Sequence, residues 1–188
     1  MKYLVLLAGC GLGDGSCIEE VVLTYVVLDK YGCDYTPVAE DISVQSVNHL
    51  TERAAEKRNV LIESARVGRG RIKDVREIDF AEYDALIIPG GIGLLNNYRD
   101  SNAIKTCLAH FISKKKPVAA MCAGIDFLRR FYGSNLLARE MKELTAEKFC
   151  FDADYNVYYT PAFRKTNSCY TALLGVDSMI YALKIKQK

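Results

Sequence analysis

The chain has 188 residues, half of them apolar and 26% charged, which is enough to bury a core and sets the expectation of one domain spanning residues 1–188. Lys and Arg number 25 against 23 for Asp and Glu, so the net charge of +2 gives no reason to expect a nucleic-acid partner. The opening apolar run is too short for a secretory signal, and no run approaches a membrane span, so a cytoplasmic protein with no membrane partner is expected. The seven cysteines are scattered without a C-x-x-C pair and only two histidines accompany them, which argues against a disulfide framework and a zinc site.

Taken in chain order, Lys2 to Leu7 is a continuous apolar run, as in a strand covered on both faces. A helix is predicted from Cys17 to Tyr31, with Ser16 as N-cap, Glu19 as its capping-box partner and Gly32 past the end. "YTPVAE" reads as a second strand, and Thr51 to Val67 as a second amphipathic helix through Ala55, Val60, Leu61, Ile62 and Ala65, stopped by Gly68 and Gly70. "DALIIPGG" is a third buried strand, Ala103 to Ser113 a helix, and Lys114 to Lys116 a solvated loop before the strand "PVAAMC". Ile125 to Tyr132 is helical and ends at Gly133; "KFCFDADYNVYYTP" is a hairpin turning at Asp154 to Asn156; Ser168 to Ile185 closes as a helix. This order predicts an α/β three-layer sandwich with a mainly parallel sheet.

Ligands of such sheets meet the carboxyl ends of the strands. That rule gathers Gly11 and Asp14 of the glycine loop, the region after Glu40, Gly90 and Gly91, Cys122, and "TPAF" from Thr160 and Pro161 to Phe163 around one crevice. The glycine loop fails as a dinucleotide fingerprint: the last glycine position of G-x-G-x-x-G is Asp14 counted from Gly9 and Ser16 counted from Gly11. Asp14 would put a carboxylate where a pyrophosphate must sit. Glu40 stands about where a ribose-binding acid would, but no Gly-Lys-Ser/Thr of a Walker loop follows. No cofactor is expected.

Glu20 sits in the first turn of a helix whose "VVLTYVVL" is apolar nearly all round. Such a helix is covered on all sides, which favours a second subunit and hence a homodimer. A carboxyl held there has its pKa raised towards neutrality; the alternative is a simple helix-dipole contribution of about 0.3–1 kcal/mol. In "VAAMCAG" a buried strand ends on Cys122, and Ala123 and Gly124 lead at once into a helix, the shape of a nucleophile elbow. The helix N-terminus would bring the thiol pKa from about 8.5 to between roughly 3.5 and 7.5; the alternative is an inert core cysteine.

"MCAG" after an apolar strand, "LIIPGG" one unit earlier and the first-helix glutamate resemble the DJ-1/PfpI superfamily. "GCGLGDGSCIEEVVL", "VNHLT", "RNVLIESARVGRGRIKD", "DALIIPGGIG" and "YYTPAF" resemble its ElbB-like branch, named for enhancing lycopene biosynthesis or as sigma cross-reacting protein. The resemblance implies a flavodoxin-like, class I glutamine-amidotransferase-like fold in which Glu20 partners the elbow Cys122. It adds Asn48, His49 and Asn97 as crevice residues, while Asn96 stands where a lysine is expected and the segments around the elbow are shorter than usual. No histidine follows Cys122, so a downstream Cys-His triad is excluded, and with it the expectation of a protease or amidotransferase. His110 is expected to be structural or exposed; His49 reaches the crevice or only holds its loop.

Two functions follow. The resemblance implies a glyoxalase-like enzyme taking a small-molecule carbonyl substrate, a 2-oxoaldehyde, without metal or glutathione. Cys122 would be its nucleophile, Glu20 its proton carrier, and the amides of Gly91 and Ala123 its oxyanion donors. The alternative is a sensor or regulatory protein with an oxidisable Cys122, linked to isoprenoid biosynthesis through the branch's name.

Overall fold

The computed structural model describes residues 1–186. Its strands are β1 (Lys2–Leu6), β2 (Asp34–Ala39), β3 (Ser43–Asn48), β4 (Arg53–Asn59), β5 (Lys73–Asp74), β6 (Ala85–Ile88), β7 (Val118–Met121), β8 (Cys150–Asp152) and β9 (Val157–Thr160). Its α-helices are α1 (Ile18–Lys30), α2 (Val60–Val67), α3 (Gly93–Asn97), α4 (Asn102–Ser113), α5 (Gly124–Tyr132) and α6 (Cys169–Ile185). The main sheet has the order β5-β2-β1-β6-β7-β9-β8, parallel throughout except for the edge strand β8. The chain moves outward from β1 to β2 and β5, then restarts at β6 on the other side of β1. The carboxyl ends of β1 and β6 therefore flank the topological switch point, where such sheets form a crevice.

The central strands are apolar at successive positions because both faces are covered: "ALII" of β6 and "VAAM" of β7 are wholly buried. Helix α1 packs on α6 and α2, and α3 packs on α5. The expected strands and helices at 2–31, 84–133 and 148–185 form with ends shifted by a few residues at most, including the terminal hairpin β8–β9.

The segment Thr51–Val67 corrects the sequence reading. Only Val60–Val67 is helical; β3 and β4 form a separate antiparallel ribbon, turning through Glu52 at φ 57°. Ala, Glu, Lys and Arg favour a helix locally, but β4 pairs along β3, and the Asn48 side chain closes the turn by accepting from the Leu50 and Thr51 amides. Asn59 is the N-cap of α2, accepting from the Ile62 amide at 2.9 Å.

Two smaller expectations also change. Ser16 does not cap α1: its hydroxyl accepts from the Ala8 amide at 2.9 Å, and Cys17 occupies the cap without a side-chain bond. Lys116 is no solvated loop residue, since its ammonium donates to the Ala81 and Tyr83 carbonyls at 3.1 and 2.6 Å. Within the single chain, helix α1 leaves Ile18, Val22 and Val26 as an exposed stripe, the face for which the sequence reading expects a second subunit.

Asn59→Ala tests the ribbon–helix boundary by sign. Loss of the cap should lower stability by about 1 kcal/mol, read as a lower urea midpoint at unchanged slope. In a helix running through residue 59, alanine would instead stabilise.

Candidate functional site

Four neighbouring strands deliver the site. The glycine loop follows β1, Gly90 and Gly91 follow β6, Cys122 follows β7, and Thr160 ends β9. Cys122 stands at φ 46°, in the left-handed region that a side chain enters at a cost, as the strained turn of an elbow requires. The turn is pinned by its backbone: the Cys122 amide donates to the Thr160 carbonyl at 3.2 Å, and the Cys122 carbonyl accepts from the Tyr159 hydroxyl at 3.3 Å. Gly124 closes the bend, since a Cβ there would lie 3.1 Å from the Ile88 carbonyl oxygen.

Glu20 reaches this point from the first turn of α1 and has no exposed surface. Its Oε2 accepts from the Gly90 amide at 2.6 Å, and its Oε1 lies 3.4 Å from the Phe163 amide. Gly90 is where carboxyl and elbow meet: a Cβ on it would lie 2.5 Å from Glu20 Oε2 and 2.8 Å from Cys122 Cβ. Burial raises the Glu20 pKa to about 7, against the pull of the Gly90 and Phe163 amides and the Cys122 thiol, in line with the sequence expectation.

The thiol moves opposite to expectation. Burial, then the neighbouring Glu20 charge, push Cys122 up to about 11, overcoming the Ala123 amide and the Arg164 guanidinium, which both favour the thiolate. The helix dipole is outweighed because the sulfur is buried and its partner is an acid, and two negative charges in one buried site repel. Carboxyl and thiol therefore form a coupled pair that loses its first proton near neutrality and its second well into the alkaline range.

The glycine loop serves this pair as structure. Its amides are already taken: Gly9 donates to Ser64 Oγ, Gly11 to the Ser16 carbonyl, Gly13 to His49 Nε2 and Gly15 to the Gly11 carbonyl, at 2.7–3.1 Å. None of these four is left to hold a phosphate. The loop instead abuts the β6 turn. A Cβ on Gly91, at φ 124°, would strike the Gly15 carbonyl, and the Cys17 amide donates to the Gly90 carbonyl at 2.8 Å. Residue Glu20 is thus aimed by a turn in which two glycine backbones touch.

The other crevice residues divide differently. Asp14 accepts from the Val47 amide at 2.7 Å and Asn97 donates to the Ala8 and Asp14 carbonyls at 2.8 and 2.7 Å, so both brace the loop. Imidazole Nε2 of His49 accepts from Gly13, which leaves Nδ1 to donate to the Val47 carbonyl at 3.1 Å. A Cβ on Gly11 would lie 2.7 Å from that Nε2. His49 therefore covers the loop's outer side, and no contact joins it to Glu20 or Cys122 among the described residues. Asn48 makes the ribbon turn. The Thr160 hydroxyl donates away to the Lys148 carbonyl at 2.9 Å, and Pro161 starts a short 3-10 turn. His110 is structural, packed between Phe80 and Phe111.

Sequence reasoning placed Phe163 at the crevice within "TPAF" but missed Arg164, Asp126 and Tyr159. Arg164 pairs with Asp126 of α5 and faces the elbow, while Phe163 offers Glu20 its amide beyond Ala162 at φ 45°. Only the unplaced cation after "TPAF" hinted at them.

Several proteins are similar to this chain. A crystal structure from Ehrlichia chaffeensis, described as an isoprenoid biosynthesis protein with an amidotransferase-like domain, is 30% identical over the whole of both chains with a TM-score of 0.88. A Schizosaccharomyces pombe DJ-1 structure, 14% identical with a TM-score of 0.58 over 97% of this chain and 91% of its own, shares the fold. The rat "ES1 protein homolog, mitochondrial" is 32% identical over 134 residues, 64% of this chain and 50% of that protein. The human "Glutamine amidotransferase-like class 1 domain-containing protein 3, mitochondrial" is 31% identical over the same shares. The chain thus spans about half the length of the curated relatives it matches. Among the described residues no helix is long and apolar enough to cross a membrane. The DJ-1/PfpI family model matches residues 12–133, from the glycine loop through the elbow to the end of α5, and with the flavodoxin-like sheet this makes the chain a member of the DJ-1/PfpI family.

Proposed function

We propose that the protein is a cofactor-independent thiol enzyme that converts small 2-oxoaldehydes, such as methylglyoxal, into 2-hydroxy acids without glutathione. One observation carries this reading: a fully buried carboxyl with a pKa of about 7 meets the elbow thiol at Gly90. A base half ionised at neutral pH is suited to move protons in both directions. With the thiol pushed up to about 11, Cys122 attacks as its proton leaves for the Glu20 carboxylate, rather than as a standing thiolate.

The sulfur adds to the aldehyde carbon, and the former thiol proton passes from Glu20 to the carbonyl oxygen, giving a hemithioacetal. Glu20 then takes the C1 proton to give an enediolate, the C1 hydroxyl proton passes to the C2 oxygen, and Glu20 returns its proton to C2. C1 is oxidised and C2 reduced within one molecule, so no redox partner is needed. The resulting thioester is cleaved by water, releasing the 2-hydroxy acid and the thiol. The amides of Gly91 and Ala123 are the proposed oxyanion donors. Free cysteines suit a cytosolic setting, where thiols stay reduced. The sensor reading requires thiolate character at neutral pH, which burial and the Glu20 charge oppose.

Lactate should form from methylglyoxal without glutathione, and Cys122→Ser and Glu20→Gln should each lower kcat/KM by about 100-fold or more with folding intact. Because the working base is the carboxylate, the rate should rise as pH passes upward through about 7. No lactate above buffer, or undiminished turnover in Cys122→Ser, would contradict the proposal.

The homodimer is proposed on the exposed stripe of α1, Ile18, Val22 and Val26, which recurs every four residues beside Tyr170, Leu174 and Tyr181 of the adjoining α6. Sedimentation equilibrium should give a dimer that Val22→Glu with Val26→Glu converts to a folded monomer. A wild-type monomer at micromolar concentration would count against it.

A further inference from the structure

Arg164 stands at the rim of the elbow with a charge that the reaction has not used, and its place is fixed from three directions. Strands β7 and β9 pair to their ends, Met121 beside Thr160, and the Cys122 amide donates to the Thr160 carbonyl at 3.2 Å, so the turns that follow them lie side by side. The turn after β9 passes through Ala162 at φ 45° and presents the Phe163 amide to Glu20 at 3.4 Å; Arg164 is the next residue. Its guanidinium reaches across to Asp126 in the first turn of α5, four residues after Cys122. Arg164 is thus bracketed between the acid and the thiol of the site, and its charge is felt at the Cys122 sulfur, where it favours the thiolate against burial and Glu20.

Stability does not account for this pair, because an ion pair whose side chains are 33% and 37% exposed contributes little. Nor is the pair balanced: Asp126 also faces the Arg129 guanidinium at 3.8 Å, so one carboxylate serves two cations. Only Nη2 of Arg164 is engaged, and its Nε and Nη1 have no acceptor among the described residues. Beside a half-buried thiol the chain therefore keeps a fixed, accessible cation with donors to spare. Methylglyoxal, which is uncharged, has no group to meet it.

We propose, resting on the 2-oxoaldehyde reading above, that Arg164 selects a substrate with a carboxylate beyond its two carbonyl carbons, the carboxylate meeting the guanidinium while the aldehyde carbon meets Cys122 Sγ. Asp126 positions the guanidinium. The chemistry is otherwise unchanged: C1 is oxidised, C2 is reduced and water cleaves the thioester, so that 4,5-dioxovalerate yields 2-hydroxyglutarate.

The test compares alkylation of Cys122 by iodoacetate, which is anionic, and by iodoacetamide, which is neutral, followed at low conversion by mass mapping of the Cys122 peptide in the intact chain. The ratio of the two rates cancels changes in thiol acidity and needs no turnover. It should exceed the ratio for N-acetylcysteine by about five- to tenfold, fall to the free-thiol value in Arg164→Gln, and be kept in part by Arg164→Lys. The wild type should also turn over 4,5-dioxovalerate with a kcat/KM about five- to tenfold above that for methylglyoxal, a preference that Arg164→Gln removes. A wild-type ratio equal to that of the free thiol, a ratio indifferent to Arg164→Gln, or equal turnover of the two aldehydes would overturn the proposal. A selective ratio with turnover of neither aldehyde would uphold anion recognition by Arg164 and contradict the enzyme reading alone.

Discussion

The structure around the elbow depends on placing one carboxyl, Glu20, where water cannot reach it. A side chain with no exposed surface cannot hold its charge cheaply, and the two backbone amides that approach it offset only part of the loss. Its pKa therefore stands near 7 instead of 4.5, and the folded chain holds a proton across that interval which the unfolded chain has released. This group's contribution to stability is accordingly full at acid pH and falls as pH rises from about 4.5 to 7, by of order 3 kcal/mol. The fold tolerates that cost because the same carboxyl is what the elbow thiol meets.

Much of the surrounding architecture holds that meeting in place. Gly90 must lack a side chain because the carboxyl and the Cys122 Cβ both occupy the space, and Gly91 must lack one because the glycine loop lies against it. The loop in turn is closed by its own amides and held from outside by Asn97, Asp14 and His49. These residues govern chemistry only by fixing the direction from which α1 begins. On the far wall, the 3-10 turn after β9 brings the Phe163 amide to Glu20 and Arg164 to the elbow, so the last strand of the sheet completes a pair begun by the first helix.

The buried parallel strands were legible because each is a continuous apolar run, and the elbow because Cys122 ends one of them before small residues. The β3–β4 ribbon was not legible: β4 is largely exposed on both faces, so its sequence carries no apolar alternation, and its composition favours a helix. Glu20 could be singled out as an acid inside an apolar helix, but the direction of the Cys122 shift could not. That direction depends first on how deeply the fold buries the sulfur and then on the charge beside it, and Glu20 is 102 positions away in the chain. The same holds for His49, whose contacts join the ribbon to the glycine loop across elements that sequence spacing does not connect. Helix α1 shows the opposite limit, since an all-round apolar composition does not reveal which face the fold leaves open.

Burial and Glu20 together hold Cys122 as a thiol at neutral pH. Thiolate absorbance near 240 nm, followed from pH 5 to 12 as the difference between wild type and Cys122→Ser and repeated in a Glu20→Gln background, tests it directly. The Cys122 signal should emerge only towards pH 11 in the wild type, and at distinctly lower pH once the charge at position 20 is gone. A Cys122 thiolate already present at pH 7, or a titration indifferent to Glu20→Gln, would contradict it.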